Sequence, residues 1–132
     1  MKGLVHDDLT SRINACAIEV HKALGPGFLE SAYETTLTIE LHHAGLQVER
    51  QKLLPLTYRE ISIGEHRLDL LVENEIVVEL KAISNLEGIH FAIVRSYLKA
   101  AKLEHGLLLN FATMPLTIKR VIHQNPSFSV PP

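Results

Sequence analysis

Apolar residues recur at spacings of three and four through the first third of the chain. Leu9, Ile13, Ala17, Val20 and Leu24 trace one face of a helix over 7–24, with Asp7 or Asp8 placed to cap its start and Gly25-Pro26-Gly27 to end it. A second helix is predicted over about 28–44, with Leu29, Tyr33, Leu37, Leu41 and Ala44 turned inward and Gly45 as its C′ residue. The rhythm then shortens. Residues 46–63 read as a first strand or pair of strands, in which Pro55 marks an edge or a bulge. Tyr58 and Arg59 read as ordinary side chains of a half-buried sheet, and Ser62–Glu65 turns the chain through Gly64.

Two strands follow, His66–Val72 and Ile76–Ala82, separated by Glu73-Asn74-Glu75. A connection over 82–86 leads to a third helix, about 87–104, whose core face is read as Ile89, Ala92, Ile93, Ser96, Ala100 and Leu103. Arg95, Lys99 and Lys102 then form a basic stripe on the far side, an ordinary solvated face unless it tracks a phosphate backbone. Gly106–Phe111 is a continuous apolar run that suits a strand buried on both faces, and Thr117–His123 makes a more basic last strand. The predicted order is α-α-β-β-β-α-β-β, an α/β (α+β) domain with a mixed central sheet flanked by helices.

The central hairpin is where the pattern breaks its own rule. Asp69 interrupts the first strand, and Glu79 and Lys81 the second, although an unpaired buried charge is costly. Glu79 and Lys81, two residues apart, share a face. A three-residue turn at 73–75 pairs Val72 with Ile76 and sets Asp69 opposite Glu79, with Cβ atoms roughly 4.5–5.5 Å apart. A two-residue turn would put the carboxylates on opposite faces; we take the odd loop. Two carboxylates at that distance repel, and a hard divalent cation with oxygen ligands relieves the repulsion.

Composition narrows the alternatives. A chain of 132 residues, 46% hydrophobic and 21% charged, is an ordinary globular composition of single-domain size. The domain is read as 1–123, and residues 124–132, with Pro126, Pro131 and Pro132, as a surface tail. No apolar run has the length of a membrane span and the polar start lacks a signal-peptide core, so the expected location is the cytoplasm. The single cysteine, Cys16, falls within the helical apolar pattern and reads as a small core residue. None of the eight histidines is assigned as a ligand. The net charge of −2 does not advertise nucleic-acid binding, yet Glu104 is the one acidic residue after position 91, which leaves a basic final third.

These motifs carry a resemblance. Asp69 followed by Glu79-Leu80-Lys81 resembles the D…E-x-K core of the PD-(D/E)XK nuclease superfamily. Gly27-Phe28-Leu29-Glu30-Ser31-Ala32-Tyr33 is G-x-x-E-x-x-Y, which, with the later R-x-D-L-L-V and V-x-E-L-K-A, looks like the bacterial GxxExxY protein family, a branch of that superfamily. The resemblance runs from about Ile13 to Ile122. It implies a restriction-endonuclease-like core and a nuclease that hydrolyses phosphodiester bonds of nucleic acid, DNA before RNA. Asp69, Glu79 and the Leu80 backbone carbonyl would hold Mg²⁺ or Mn²⁺ with Glu30 beside them, and Lys81 would act on the attacking water. Glu30, otherwise a first-turn glutamate that complements the helix dipole, becomes the helix-borne acid of the first motif. Tyr33, Tyr97, Arg95, Lys99 and Lys102 are the nucleic-acid-binding candidates.

One departure stands out. Ile93 occupies the position where the family pattern Q-x-x-x-Y has glutamine, leaving Tyr97 as the surviving half. That favours the alternative of an inactive binding module of nuclease descent. A third reading makes Asp69, Glu79 and Lys81 an internal ion-pair network. The oligomeric state, homodimer included, is left open.

Overall fold

The computed structural model describes residues 2–124, with side chains from His6 onward. Its elements are α1 (Lys2–Leu24), α2 (Glu30–His43), β1 (Val48–Tyr58), β2 (Ile61–Val72), β3 (Ile76–Lys81), α3 (Gly88–Ala101), β4 (His105–Asn110) and β5 (Thr117–Ile122). The predicted order holds, and the prolines of the tail lie outside the described residues. No helix among the described residues is long and apolar enough to cross a membrane.

The strands form one sheet in the order β1-β2-β3-β4-β5. Among the described strands β3 and β4 run parallel, joined by the α3 crossover, and the other neighbouring pairs are antiparallel. Helices α1 and α2 cover one face through Ile13, Ala17, Tyr33, Leu37 and Leu41, which meet Leu70, Val72, Ile76, Val78 and Leu80. Helix α3 covers the other through Val94 and Leu98, against Leu68, Leu71, Val77 and Leu108. The result is the mixed five-stranded sheet with three helices of a restriction-endonuclease-like fold. Cys16 is buried in the first layer, as expected of a small core residue.

The helix ends correct the reading in places. Helix α1 begins at Lys2, so Asp7 and Asp8 lie inside it rather than at its cap, and Asp7 Oδ1 accepts from Arg120 at 2.7 Å. The apolar repeat marks where that helix becomes buried, not where it starts. Leu29 is not inward: it holds extended backbone just before α2 and is 79% exposed. Gly45, at φ 81°, does end α2 as C′.

Two turns decide the sheet. The expected bend at Ser62–Glu65 is absent; β1 and β2 join at Arg59-Glu60, both at positive φ, with Tyr58 paired to Ile61. Gly64 lies within β2 opposite Leu56, where the register shifts, so this glycine serves a bulge. Tyr58 is the last residue of β1 and 63% exposed, whereas Arg59 is in the turn and not in the sheet. β1 is an edge strand and accommodates Pro55. The second turn follows the prediction: Val72 pairs with Ile76 across the loop of Glu73, Asn74 and Glu75.

Helix α3 is shorter than expected, ending at Lys102 in left-handed conformation, and it is turned the other way round. The sheet receives Val94 and Leu98, with Phe91 and Tyr97 packed alongside, whereas Ile89 is 59% exposed. Both faces of α3 carry apolar residues at helical spacing, and periodicity cannot choose between them. Packing does: Val94 and Leu98 are buried against the sheet with Phe91 beside them, while Ala92, Ser96 and Ala100 are only half-buried. The choice is tight at Gly106 of β4, where a Cβ would come within 2.9 Å of Val94 Cγ1. Arg95 and Lys99 are exposed, but they flank the packed stripe instead of opposing it.

Candidate active site

The β2–β3 register, carried one step beyond Leu70–Val78, sets Asp69 across from Glu79. The backbone ladder ends there and the side chain of Asp69 continues it: Leu80 N–H donates to Asp69 Oδ2 at 2.9 Å. Glu79 is 6% exposed, and its buried Oε1 has no hydrogen-bond partner among the described residues. Lys81 Nζ stands 3.7 Å from Glu79 Oε2. The three charged residues of the central hairpin are therefore gathered at one point, at the end of the parallel pair β3–β4.

The environment of Glu79 is strongly perturbed. Burial pushes its carboxyl up to about 8, and the negative charge of Asp69 adds to the shift. Lys81 opposes it; a hydrogen bond to Asp69 and the charge of Glu30 raise it further. Tyr97 reaches the same point from α3. Its hydroxyl is pushed up to about 12 by burial and then by Glu79 and Asp69. The ring of His66, which sequence reasoning did not single out, packs edge-on against Tyr97 at 4.8 Å.

On the α2 side, Glu30, Ser31, Glu34, Gln51, Asp69 and Leu80 line a cleft of about 340 Å³. Glu30 is exposed on its wall, so the helix-borne acid and Asp69 share one opening. Glu34, Arg50 and Gln51 were not anticipated. Glu34 is 8% exposed; its Oε1 accepts from Gln51 Nε2 at 2.6 Å and its Oε2 from Arg50 at 3.1 Å. A glutamate one residue past a buried tyrosine and a basic residue in the next strand gave no distinguishing signal. Asn110 was also missed: 1% exposed, it accepts from Ile83 N–H and donates to Ile83 C=O, fixing the chain that leaves Lys81.

A divalent cation fits this donor set in kind. The donors are carboxylate oxygens, one of them buried and unpartnered, beside a polar cleft. Among the described residues, no three His, Cys, Asp or Glu side chains converge as a complete ligand group. Two carboxylates are nevertheless what a Mg²⁺-type ion takes when waters and substrate phosphate complete its shell.

The nucleic-acid candidates part company here. Tyr33 is wholly buried, stacked on Phe111 at 4.5 Å; its hydroxyl donates to Gly25 C=O and accepts from Phe28 N–H. It pins the α1–α2 loop to the core and offers no surface to a ligand, a correction to the reading of the G-x-x-E-x-x-Y tyrosine. Arg95, Lys99 and Lys102 are exposed on and just after α3.

Neither a curated protein nor a solved structure matches the chain. The family profile of the PD-(D/E)XK nuclease superfamily does, over residues 7–121. That span takes in Glu30, the Asp69–Glu79–Lys81 cluster and every strand but the last residue of β5. The chain belongs to the PD-(D/E)XK nuclease superfamily.

Proposed function

We propose that this protein is a divalent-metal-dependent nuclease of the GxxExxY branch, acting on DNA, with its site at the Asp69–Glu79–Lys81 cluster. Membership of the superfamily indicates a nuclease-like function with nucleic acid as the general substrate class. The observation that carries the reading is Glu79: a buried carboxyl with an orphaned oxygen, beside a second carboxylate and 3.7 Å from a lysine. Such a group is costly in a structural sheet and useful in a catalytic one.

Asp69, Glu79 and the Leu80 carbonyl would hold Mg²⁺ or Mn²⁺, with Glu30 on the open side. The ion would supply positive charge to the scissile phosphate and lower the pKa of a water. Lys81, 3.7 Å from Glu79, would orient or help deprotonate the attacking water and offset charge in the transition state. The Leu80 N–H holds Asp69 in place without consuming its second oxygen. Tyr97 lies near enough for Glu79 and Asp69 to add to the burial that pushes its hydroxyl up to about 12. Arg95, Lys99 and Lys102 supply exposed cations for the phosphate backbone.

The test is cleavage of single- and double-stranded DNA and of RNA with Mg²⁺ or Mn²⁺, comparing wild type with Asp69→Asn and Lys81→Ala. Both variants should fold and fail to cut. Cutting by Lys81→Ala at the wild-type rate would remove the role given to that lysine. Ile93 favours a second reading, a binding module without chemistry, because isoleucine cannot contribute the polar contact of a glutamine. Retention of DNA without divalent-dependent cleavage would select it.

A further inference from the structure

We propose that Glu34 and Gln51 form a positioning clamp that holds β1 in a strained conformation and so frees Asp69 to reach Leu80 and Glu79. Gln51 lies in the middle of β1 at φ 51°, in the left-handed region that L residues rarely adopt. The β1–β2 ladder pairs Arg50 with Leu70 and Lys52 with Leu68, but the intervening partners, Gln51 and Asp69, do not pair. The break lies opposite the proposed site residue.

Its effect on the strands is visible in their side chains. In β2, Leu68 and Leu71 both face α3, whereas Leu70 and Val72 face α1 and α2. An undistorted strand would put Leu68 and Leu70 on one face. In β1, Val48 packs on the α1–α2 side and Leu54 on the α3 side, although their separation is even. Both strands roll over between these residues, at Gln51 and Asp69. The roll releases Asp69 from the ladder, lets it line the cleft and lets its carboxylate accept from Leu80 N–H.

Something must hold the strained residue. Gln51 Nε2 donates to Glu34 Oε1 at 2.6 Å, and the neighbouring Arg50 donates to Glu34 Oε2 through Nε at 3.3 Å and a terminal nitrogen at 3.1 Å. Arg50 also donates to Thr35 Oγ1 at 2.9 Å. Both oxygens of Glu34 are thereby committed, so this carboxylate acts on the site through β1. Helix α2 thus contributes Glu30 to the cleft wall and, one turn later, Glu34 to the strand that shapes Asp69.

A glycine at position 51 takes positive φ without steric cost and needs no clamp; an alanine carries the cost and has no side chain to be held. The experiment compares Gln51→Ala, Gln51→Gly and Glu34→Ala. The first readout is the amide proton shift of Leu80 in metal-free protein, which reports the hydrogen bond to Asp69. Gln51→Ala and Glu34→Ala should move this resonance upfield, and Gln51→Gly should leave it near the wild-type position. Equal shifts in the alanine and glycine variants, or no shift in Glu34→Ala, would overturn the clamp. If Glu34→Ala fails to fold, the Gln51 pair still decides. The second readout, Mn²⁺ affinity, rests on the site being a metal centre: Gln51→Ala should bind about tenfold more weakly than Gln51→Gly, and equal affinities would overturn the clamp's link to the site. Absence of Mn²⁺ binding in wild type would count against the metal reading, while the Leu80 resonance would still test the clamp.

Discussion

Leu80 N–H donates to Asp69 Oδ2 at 2.9 Å, a bond from the backbone of one strand to the side chain of the next. It stands where the β2–β3 ladder stops, and it ties the aspartate to the strand that carries Glu79 and Lys81. Sheet geometry and site geometry meet in this one contact.

Stability should fall as pH rises because of Glu79. Its folded-state value, about 8, lies above the ordinary glutamate value of 4.5. The folded protein therefore binds this proton more tightly than the unfolded chain, and each unit of difference corresponds to about 1.4 kcal/mol. That contribution is fully present below the unfolded value and is lost as pH rises through about 8. Glu79→Gln, which keeps the shape and cannot ionise, should be more stable than wild type at pH 9 and show a flatter profile from pH 5 to 9 in urea denaturation. Parallel profiles would show that Glu79 is not the group responsible.

Tyr33→Phe should cost roughly 1–2 kcal/mol, the usual range for one or two internal hydrogen bonds. The ring remains stacked on Phe111, while Gly25 C=O and Phe28 N–H lose their partner. Chemical denaturation measures the loss. Affinity for nucleic acid should be unchanged in the folded protein, because the tyrosine has no exposed surface.

Gly106→Ala should destabilise by about 1–3 kcal/mol, the range for overpacking. The added Cβ meets Val94 Cγ1 at 2.9 Å and Val77 O at 3.4 Å. Val94→Ala opens space at the first contact, so the double variant should recover part of the loss relative to the sum of the two single changes. Strict additivity in thermal unfolding would mean that α3 does not bear on β4 at this point.

The sequence carried the fold well where one face of an element was apolar. The periodicity of Leu9–Val20 and Tyr33–Leu41, and the unbroken run after Gly106, each became the expected buried element. The odd loop at 73–75, taken because it sets Asp69 opposite Glu79, is the turn observed, with Val72 paired to Ile76. Helix α3 was misread because two stripes compete along it, and only the facing sheet selects Val94 and Leu98. The β1–β2 turn was misread because arginine and glutamate at positive φ give no turn signal, whereas Gly64 gives a false one. The clamp of Glu34 and Gln51 was illegible for a related reason: its meaning lies in a break of strand pairing, which is a property of two strands together.

The central claim is that Asp69 and Glu79 form a divalent-metal site. Calorimetric titration of the purified protein with Mn²⁺, wild type beside Asp69→Ala, tests it most directly. We expect saturable binding to wild type that is lost in Asp69→Ala, with heats that change with buffer at pH 7 because Glu79 must give up its proton. No binding to wild type, with DNA present, or equal binding by the mutant, would contradict the assignment and leave the cluster as an internal ion-pair network.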